Sequence, residues 1–319
     1  MMTRNARGLD FVDTTSTEAQ QPNAEVTGGI ADAGSSSPPR DPIVARVRAM
    51  KLDKYESDLL DCVIDPTTIS TTFDDVCLRD RDIIDTLRMG VIFPTLFSDA
   101  FKTGLLASQS GGGVLLYGPP GTGKTMLCRA LANEGGVRML QIQVDDIERR
   151  YVGETEQRVA AAFRLARRLG PCVIFLDELD ALVCNREKLK DTYKRDTLSV
   201  LCNEIDGLHS SNANRDAGLI VVGATNRPQD LDSAIIRRLP NRFLIDLPGF
   251  AERKEILRRY LSEERYNPET VNIDKLAGMT GLFSGSDSRY LAQTAALAAF
   301  HDTIPTGANC LPTLPSRRE

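Results

Sequence analysis

The sequence predicts an α/β protein whose core is a mostly parallel β-sheet with helices on both faces. Short apolar runs rich in β-branched residues alternate along the chain with stretches of helical periodicity, a pattern typical of parallel sheets. The β pattern stops after Pro248, which predicts a small helical segment beyond the sheet. The five predicted strands are residues 114–117, 139–144, 172–176, 219–223 and 243–247.

Two stretches between these strands have apolar residues at helical spacing and are predicted to be core helices. An earlier amphipathic stretch from Pro42 to Asp65 predicts one helix leading into the main domain, ended by Pro66. The two core stripes are Val159, Ala162, Phe163, Ala166 and Leu169, and then Leu198, Leu201, Cys202, Ile205 and Leu208.

Domain boundaries follow from changes in composition. Residues 1–45 are rich in Ser, Thr, Gly, Ala and Pro, so we expect a disordered tail. We expect residues 46–247 to form the large domain and 248–303 a small helical domain. Prolines interrupt residues 304–319, which predicts a second disordered tail.

Composition and charge exclude several classes of protein. The chain has 319 residues and a formal net charge of -5, so it lacks the basic footprint of a nucleic-acid-binding domain and no nucleic-acid partner is expected. Seven cysteines include no CxxC pair, and His209 and His301 are too far apart for a zinc protease. No run approaches the ~20 apolar residues that span a bilayer, so no transmembrane segment is expected.

A glycine-rich loop after the first strand is the strongest motif. Residues 118–125 fit GxxxxGK[ST] and open an apolar-periodic helix. Backbone N–H groups of such a loop cradle phosphates, while Lys124 would reach the β- and γ-phosphates and the Thr125 hydroxyl would ligate Mg²⁺. The motif therefore predicts a site for ATP and Mg²⁺. Its residues are Gly118, Pro119, Pro120, Gly121, Thr122, Gly123, Lys124, Thr125 and Met126.

Polar residues end the third and fourth strands. Asp177 is predicted to hold the Mg²⁺ shell and Glu178 to orient and polarise the attacking water. Adjacent acids after a strand are often only a solvated loop, but the glycine-rich loop favours the catalytic interpretation. Asn226 either hydrogen-bonds the γ-phosphate or the water, or forms an Asx turn before Arg227.

Two adjacent arginines, Arg237 and Arg238, follow a short helical stretch. Such pairs are usually solvated, yet a guanidinium at a subunit edge can stabilise charge on a phosphoryl group in a neighbouring site. The second interpretation requires an oligomer.

The order of these motifs closely resembles that of the AAA family of AAA+ ATPases, over about residues 73–299. The resemblance implies a P-loop NTPase three-layer sandwich with strand order 5-1-4-3-2, a helical lid, and a homo-oligomer, a ring hexamer with ATP at the subunit interfaces. It also implies that Arg237 and Arg238 are arginine fingers, that Asn226 is the first sensor, and that Glu178 and Lys124 act in catalysis.

Three further segments gain a role from the resemblance alone. Residues 150–154 resemble the first pore loop, in which Tyr151 and Val152 would grip an unfolded polypeptide. The turn at 283–287 resembles the lid turn that places Gly285 and Ser286 at the nucleotide, with Asp287 as a capping acid. Val76 would lie on the adenine side, in a segment that lacks the family's usual glycines.

Residues 223–243 look most like the subgroup that extracts mislocalised tail-anchored proteins from mitochondrial and peroxisomal membranes. The resulting hypothesis is a ring ATPase that threads polypeptides, with membrane-anchored proteins as substrates. It would lie in the cytosol, at the cytosolic face of the mitochondrial outer membrane or of peroxisomes. The chain departs from the subgroup in the expected lack of an N-terminal anchor and in its sequence after about His301.

Two alternatives stay open at this point. One is a severing or disassembly ATPase, because katanin and spastin belong to a neighbouring subgroup that shares most of these residues. The other is a nucleotide-gated binding protein with little turnover.

Overall fold

A computed structural model describes residues 41–101, 113–147, 153–183, 192–210, 218–262, 264, 266 and 271–303. Within this part of the chain, six strands form a single sheet. The strands are β1 (Val63–Ile64), β2 (Val114–Tyr117), β3 (Arg138–Ile142), β4 (Cys172–Leu176), β5 (Leu219–Thr225) and β6 (Asn241–Leu244). Their order across the sheet is β1-β3-β4-β5-β2-β6.

The five longer strands are parallel and have the predicted order, which reads 5-1-4-3-2 from the β6 edge. The sequence did not predict β1, a two-residue strand that pairs antiparallel with β3 at the other edge. The predicted bounds of three strands were wrong. The β5 strand continues to Thr225, beyond the predicted end at Gly223. The β3 strand ends at Ile142 because the Gln143 N–H donates to the Asp146 carboxylate at 2.8 Å and a helix starts at Val144. The β6 strand spans Asn241–Leu244 rather than 243–247.

Helices cover both faces of the sheet. Their bounds are α1 (Pro42–Arg48), α2 (Lys54–Leu59), α3 (Asp82–Leu87), α4 (Phe93–Leu96), α5 (Lys124–Gly135), α6 (Val144–Ile147), α7 (Glu154–Leu169), α8 (Leu179–Leu182), α9 (Thr192–Ser210), α10 (Ser233–Arg238), α11 (Phe250–Leu261), α12 (Ile273–Met279) and α13 (Gly285–Thr303). Of the helices in the described segments, none is long and apolar enough to cross a membrane.

Alternate residues of β2, β3, β4 and β5 enter two separate apolar clusters, one on each face of the sheet. Ile174 and Leu176 of β4 pack in the first cluster, whereas Val173 and Phe175 pack in the second. This alternation confirms a three-layer sandwich, because these four strands are buried on both sides. The apolar stripes predicted for α7 and α9 are buried in the first cluster.

The helix predicted from Pro42 to Asp65 is two helices, and α1 starts within the segment predicted as a tail. Asp53 forms a capping box at the start of α2. Its carboxylate accepts from the Glu56 N–H at 2.7 Å, and the Glu56 carboxylate accepts from the Asp53 N–H at 3.0 Å. Both helices bury their apolar side in the same cluster, so the amphipathic pattern could not show the break.

Asp41 attaches α1 to β3. It is 7% exposed, and Arg138 donates to its two carboxylate oxygens at 2.5 Å and 3.1 Å. The same carboxylate caps α1 by accepting from the Ile43 N–H at 2.7 Å. Burial raises the pKa of Asp41, but the hydrogen bonds from Arg138 and Ile43 outweigh burial and hold the pKa below its ordinary value.

Asp41→Asn should therefore lower the free energy of unfolding by about 1–3 kcal/mol, because Arg138 keeps only a neutral partner. The folded-state pKa of Asp41 is lowered, so its stabilisation is complete above about pH 4 and lost as pH falls through that pKa. Urea unfolding at several pH values would test this: the difference between variant and wild type should shrink below about pH 4.

Asp61→Asn is the matched control, because Asp61 pairs with Arg48 of α1 while 83% exposed. Exposed pairs contribute about 0–1 kcal/mol. Equal decreases in the free energy of unfolding for Asp41→Asn and Asp61→Asn would contradict the role given to Asp41.

Candidate functional site

A cavity of about 900 Å³ lies where the carboxyl ends of β2, β4 and β5 meet α11 and α13. In open α/β sheets, ligands bind at this end of the strands. Most of the predicted site residues line it together. They are Val76, Pro120, Gly121, Thr122, Gly123, Lys124, Thr125, Met126, Asp177, Glu178, Asn226, Gly285 and Ser286.

Lys124 hydrogen-bonds the backbone of the glycine-rich loop. Its Nζ donates to the carbonyl oxygens of Gly118 at 2.9 Å and Pro119 at 2.7 Å, so these two residues support the loop instead of lining the cavity. Burial lowers the pKa of Lys124, opposed by the carboxylates of Asp177 and Asp180. Gly118 has φ +147°, and a Cβ there would overlap the carbonyl oxygen of Ile245, which explains the glycine.

Thr125 and Asp177, the two residues predicted to bind Mg²⁺, are hydrogen-bonded to each other. The Thr125 hydroxyl donates to one Asp177 oxygen at 2.7 Å, and the Glu178 N–H donates to the other at 3.0 Å. Mg²⁺ prefers oxygen ligands and is usually bound through one or two carboxylates together with substrate phosphates and water. A hydroxyl and a carboxylate beside a phosphate-binding loop fit that ion.

Glu178 adopts a left-handed backbone with φ 51°, uncommon for a residue other than glycine. It precedes α8, and its side chain is exposed. Glu178 lines the main cavity and also a smaller one of about 230 Å³ together with Gln143 and Asp145. Such conformations cluster at functional sites, and here the conformation accompanies an exposed carboxylate beside the glycine-rich loop.

Asn226 lines the cavity at the end of β5. The turn that follows is bonded by the neighbouring Thr225, whose hydroxyl accepts from the Arg227 N–H at 3.0 Å and donates to Asp180 at 2.6 Å. Thr225 therefore supplies the side-chain bond to this turn, and Asp180 anchors Thr225.

The start of α13 and Ser284 just before it contact the glycine-rich loop. The Ser286 N–H donates to the Gly121 carbonyl at 3.2 Å, and a Cβ on Gly121 would lie 2.7 Å from the Ser284 hydroxyl. Asp287 accepts from the Ser284 N–H at 2.9 Å and from its hydroxyl at 2.8 Å, which caps α13 and lowers the pKa of Asp287. The lid turn thus needs small residues at its contact with the loop.

The predicted arginine pair does not line this cavity. Arg238 donates to Asp206 at 2.8 Å and 2.5 Å, a bond that raises the pKa of Arg238, and Arg237 donates to the Ser233 carbonyl at 3.3 Å. Neither arginine is among the described residues that line the cavity. Tyr151 and Val152 lie outside the described residues.

Sequence reasoning missed most of the end of the cavity that lies away from the loop. There Arg259 of α11 pairs with Asp75 at 3.3 Å, and burial raises the pKa of the Cys77 thiol. The family resemblance marked only the segment around Val76 at this end, and no motif marks Arg259, because the fold brings it here from a distant part of the chain. The lining residues that were not named individually as site residues are Ser70, Thr71, Asp75, Cys77, Pro248, Ile256, Arg259, Tyr260 and Arg289.

Comparisons with known proteins agree with this architecture. Residues 114–247 match the family described as ATPase family associated with various cellular activities (AAA). The chain is 37% identical over 258 residues to an outer mitochondrial transmembrane helix translocase of Danio rerio, covering 81% of this chain and 70% of the relative. The Homo sapiens protein of that name is 36% identical over the same shares. Spastin of Danio rerio is 37% identical over 79% of this chain and 43% of its own length.

Proposed function

The chain belongs to the AAA family of ATPases, and on that basis we propose that it uses ATP hydrolysis to translocate polypeptides, specifically the transmembrane helices of membrane-anchored proteins. The observation that carries this substrate class is the similarity to helix translocases over 81% of the chain and 70% of the relatives. We place the protein at the cytosolic face of the mitochondrial outer membrane or of peroxisomes.

The cavity supports a nucleotide site with defined roles. The loop N–H groups and Lys124 would bind the phosphates, and Thr125 and Asp177 would hold Mg²⁺, which neutralises phosphate charge when bound. The exposed Glu178 carboxylate orients and polarises water, and the Asn226 amide donates to the water or to the γ-phosphate. Residues 46–247 form the nucleotide domain in this proposal, and residues 248–303 form its lid.

A ring of several copies would bring the arginine pair of one chain to the ATP site of its neighbour. Because Arg237 and Arg238 lie outside the cavity of their own chain, they can act as arginine fingers only in the site of a neighbouring copy. Both are in the last turn of α10, where Asp206 and Ser233 hold them. We therefore propose a homo-hexamer with a shared ATP site at each interface.

Tyr151→Ala tests translocation directly. If Tyr151 grips the polypeptide in a central pore, the variant should keep most of its ATP hydrolysis but lose extraction of a tail-anchored protein from liposomes, because only the aromatic contact is removed. Extraction would be measured by the appearance of the substrate in the soluble fraction after ATP addition.

Tyr151→Phe is the matched control and should extract like the wild type, since it keeps the ring. Undiminished extraction by Tyr151→Ala would reject the pore. A wild-type protein that hydrolyses ATP and extracts nothing would reject the substrate class.

The similarity to spastin favours a severing or disassembly ATPase as the second candidate. That match has the same identity, but it covers only 43% of the relative, against 70% for the translocase. Co-sedimentation with microtubules in the presence of ATP would distinguish the two. Nucleotide binding without phosphate release at any protein concentration would instead indicate a nucleotide-gated binding protein.

A further inference from the structure

The end of the nucleotide cavity away from the glycine-rich loop is a cleft between two parts of the chain. Residues 70–77 contribute one wall, and helix α11 contributes the other with Ile256, Arg259 and Tyr260. A nucleotide with its phosphates on the loop would extend its base into this cleft, where Val76, Ile256 and Tyr260 offer apolar surface. The width of the cleft depends on the distance between α11 and residues 70–77.

An ion pair joins the two walls of the cleft. The Nη1 atom of Arg259 lies 3.3 Å from Oδ1 of Asp75, and both residues line the cavity. They are 184 positions apart in the chain, so their contact connects the lid to the segment before α3. The side chains of Arg259 and Asp75 are 35% and 44% exposed, which leaves the pair accessible to salt.

Each partner of this pair is also held by its own part of the chain. The second Asp75 oxygen accepts from the Thr72 N–H at 2.8 Å and from the Thr72 hydroxyl at 2.9 Å. The Arg259 Nε donates to Glu255 at 3.3 Å, and Glu255 pairs in turn with Arg258 at 2.7 Å. Isolated ion pairs at a surface contribute little, but several charges in a network with oriented side chains contribute measurably.

We propose that Asp75 and Arg259 are positioning residues that hold the cleft closed over the base of a bound nucleotide and thereby slow its release. The proposal rests on the ATP site proposed above. Release of a base from the cleft requires α11 and residues 70–77 to separate, and that separation breaks the ion pair. Because the pair lies at the end opposite the loop, it should affect ligands that have a base and leave purely phosphate ligands unaffected.

The test is the rate at which the fluorescent analogue mant-ADP dissociates from Arg259→Gln, measured by stopped flow with Mg²⁺ and excess unlabelled ADP. Release should be about two- to fivefold faster than from the wild type, which is the range that a partly exposed ion pair supplies. Salt screens exposed charges, so added KCl should narrow the difference between the two proteins. Arg259→Lys keeps the charge and should recover part of the slow release.

A second variant tests whether the two residues act together. Asp75→Asn should speed release to a similar extent, because its amide oxygen can still accept from Thr72 but offers no charge to Arg259. If the residues act as one pair, the double variant should release mant-ADP no faster than either single variant. Effects that multiply in the double variant would overturn the proposal.

Arg258→Gln is the matched control, because Arg258 pairs with the same Glu255 and is not among the described residues that line the cavity. Its release rate should equal that of the wild type. The affinity of Arg259→Gln for inorganic tripolyphosphate, measured by calorimetry, should also be unchanged, which would show that the loop end is intact.

Three results would decide against parts of this proposal. Unchanged mant-ADP release from Arg259→Gln would overturn the inference and leave the ATP site standing. Weakened tripolyphosphate binding by the same variant would overturn the assignment to the base end. A wild type that binds neither ligand would overturn the ATP site as well.

Discussion

Glu178→Gln is expected to stop ATP hydrolysis while leaving ATP binding intact. The Glu178 side chain is exposed to the cavity, one residue after the carboxylate that bonds Thr125. Glutamine has nearly the same shape but cannot accept a proton from water, and general-base catalysis contributes about 10²–10⁴-fold in rate. Steady-state phosphate release should fall by that factor, with ATP affinity measured separately by equilibrium titration.

Glu134→Gln serves as the control for this variant. Glu134 is at the end of α5 and pairs with Arg88 away from the cavity, so turnover should stay near the wild-type rate. Phosphate release that survives Glu178→Gln would refute the assigned base. Loss of ATP binding along with turnover would show that Glu178 shapes the pocket instead.

Lys124→Ala is expected to abolish nucleotide binding, and hydrolysis with it. The variant loses the cation nearest the loop and leaves the carbonyls of Gly118 and Pro119 without their donor. Charged hydrogen bonds contribute about 1.5–3 kcal/mol each, so affinity for ATP should drop by at least about 100-fold. Fluorescence titration with a labelled ATP analogue would measure it.

Arg129→Ala on the same helix is the comparison, because Arg129 donates to Gln141 on the exposed surface. It should bind ATP as the wild type does. If Lys124→Ala bound ATP with unchanged affinity, the loop would not be the phosphate site. Melting curves for both variants would show whether loss of the two loop bonds also lowers stability.

The centre of the sheet could be predicted from sequence because strands β2 to β5 are buried on both faces. Val173 to Phe175 reads as a continuous apolar run whichever side it faces, so the existence of β4 needed no tertiary information. The strand order came from the family resemblance. Boundaries set by side-chain caps, such as Asp146 after β3 and Asp53 before α2, could not be read from periodicity.

The candidate site divides in a similar way. The end of the cavity at the glycine-rich loop is built from short motifs next to strand ends, so residues that are close in sequence are also close in space, as at Asp177 and Glu178. Its other end is assembled from Asp75, Cys77 and Arg259. The ion pair between Asp75 and Arg259 spans 184 positions of the chain, and no local pattern can reveal such a contact.

The antiparallel strand β1 protects one edge of the sheet against aggregation between copies of this protein. A parallel sheet that ended at β3 would present a row of unpaired N–H and C=O groups, which is a template for edge-to-edge aggregation. Val63 and Ile64 cover part of that edge by pairing with Leu140 and Met139. A shortened chain that began after Ile64 would expose this edge to other molecules, so β1 and the helices before it also act as a guard against misassembly.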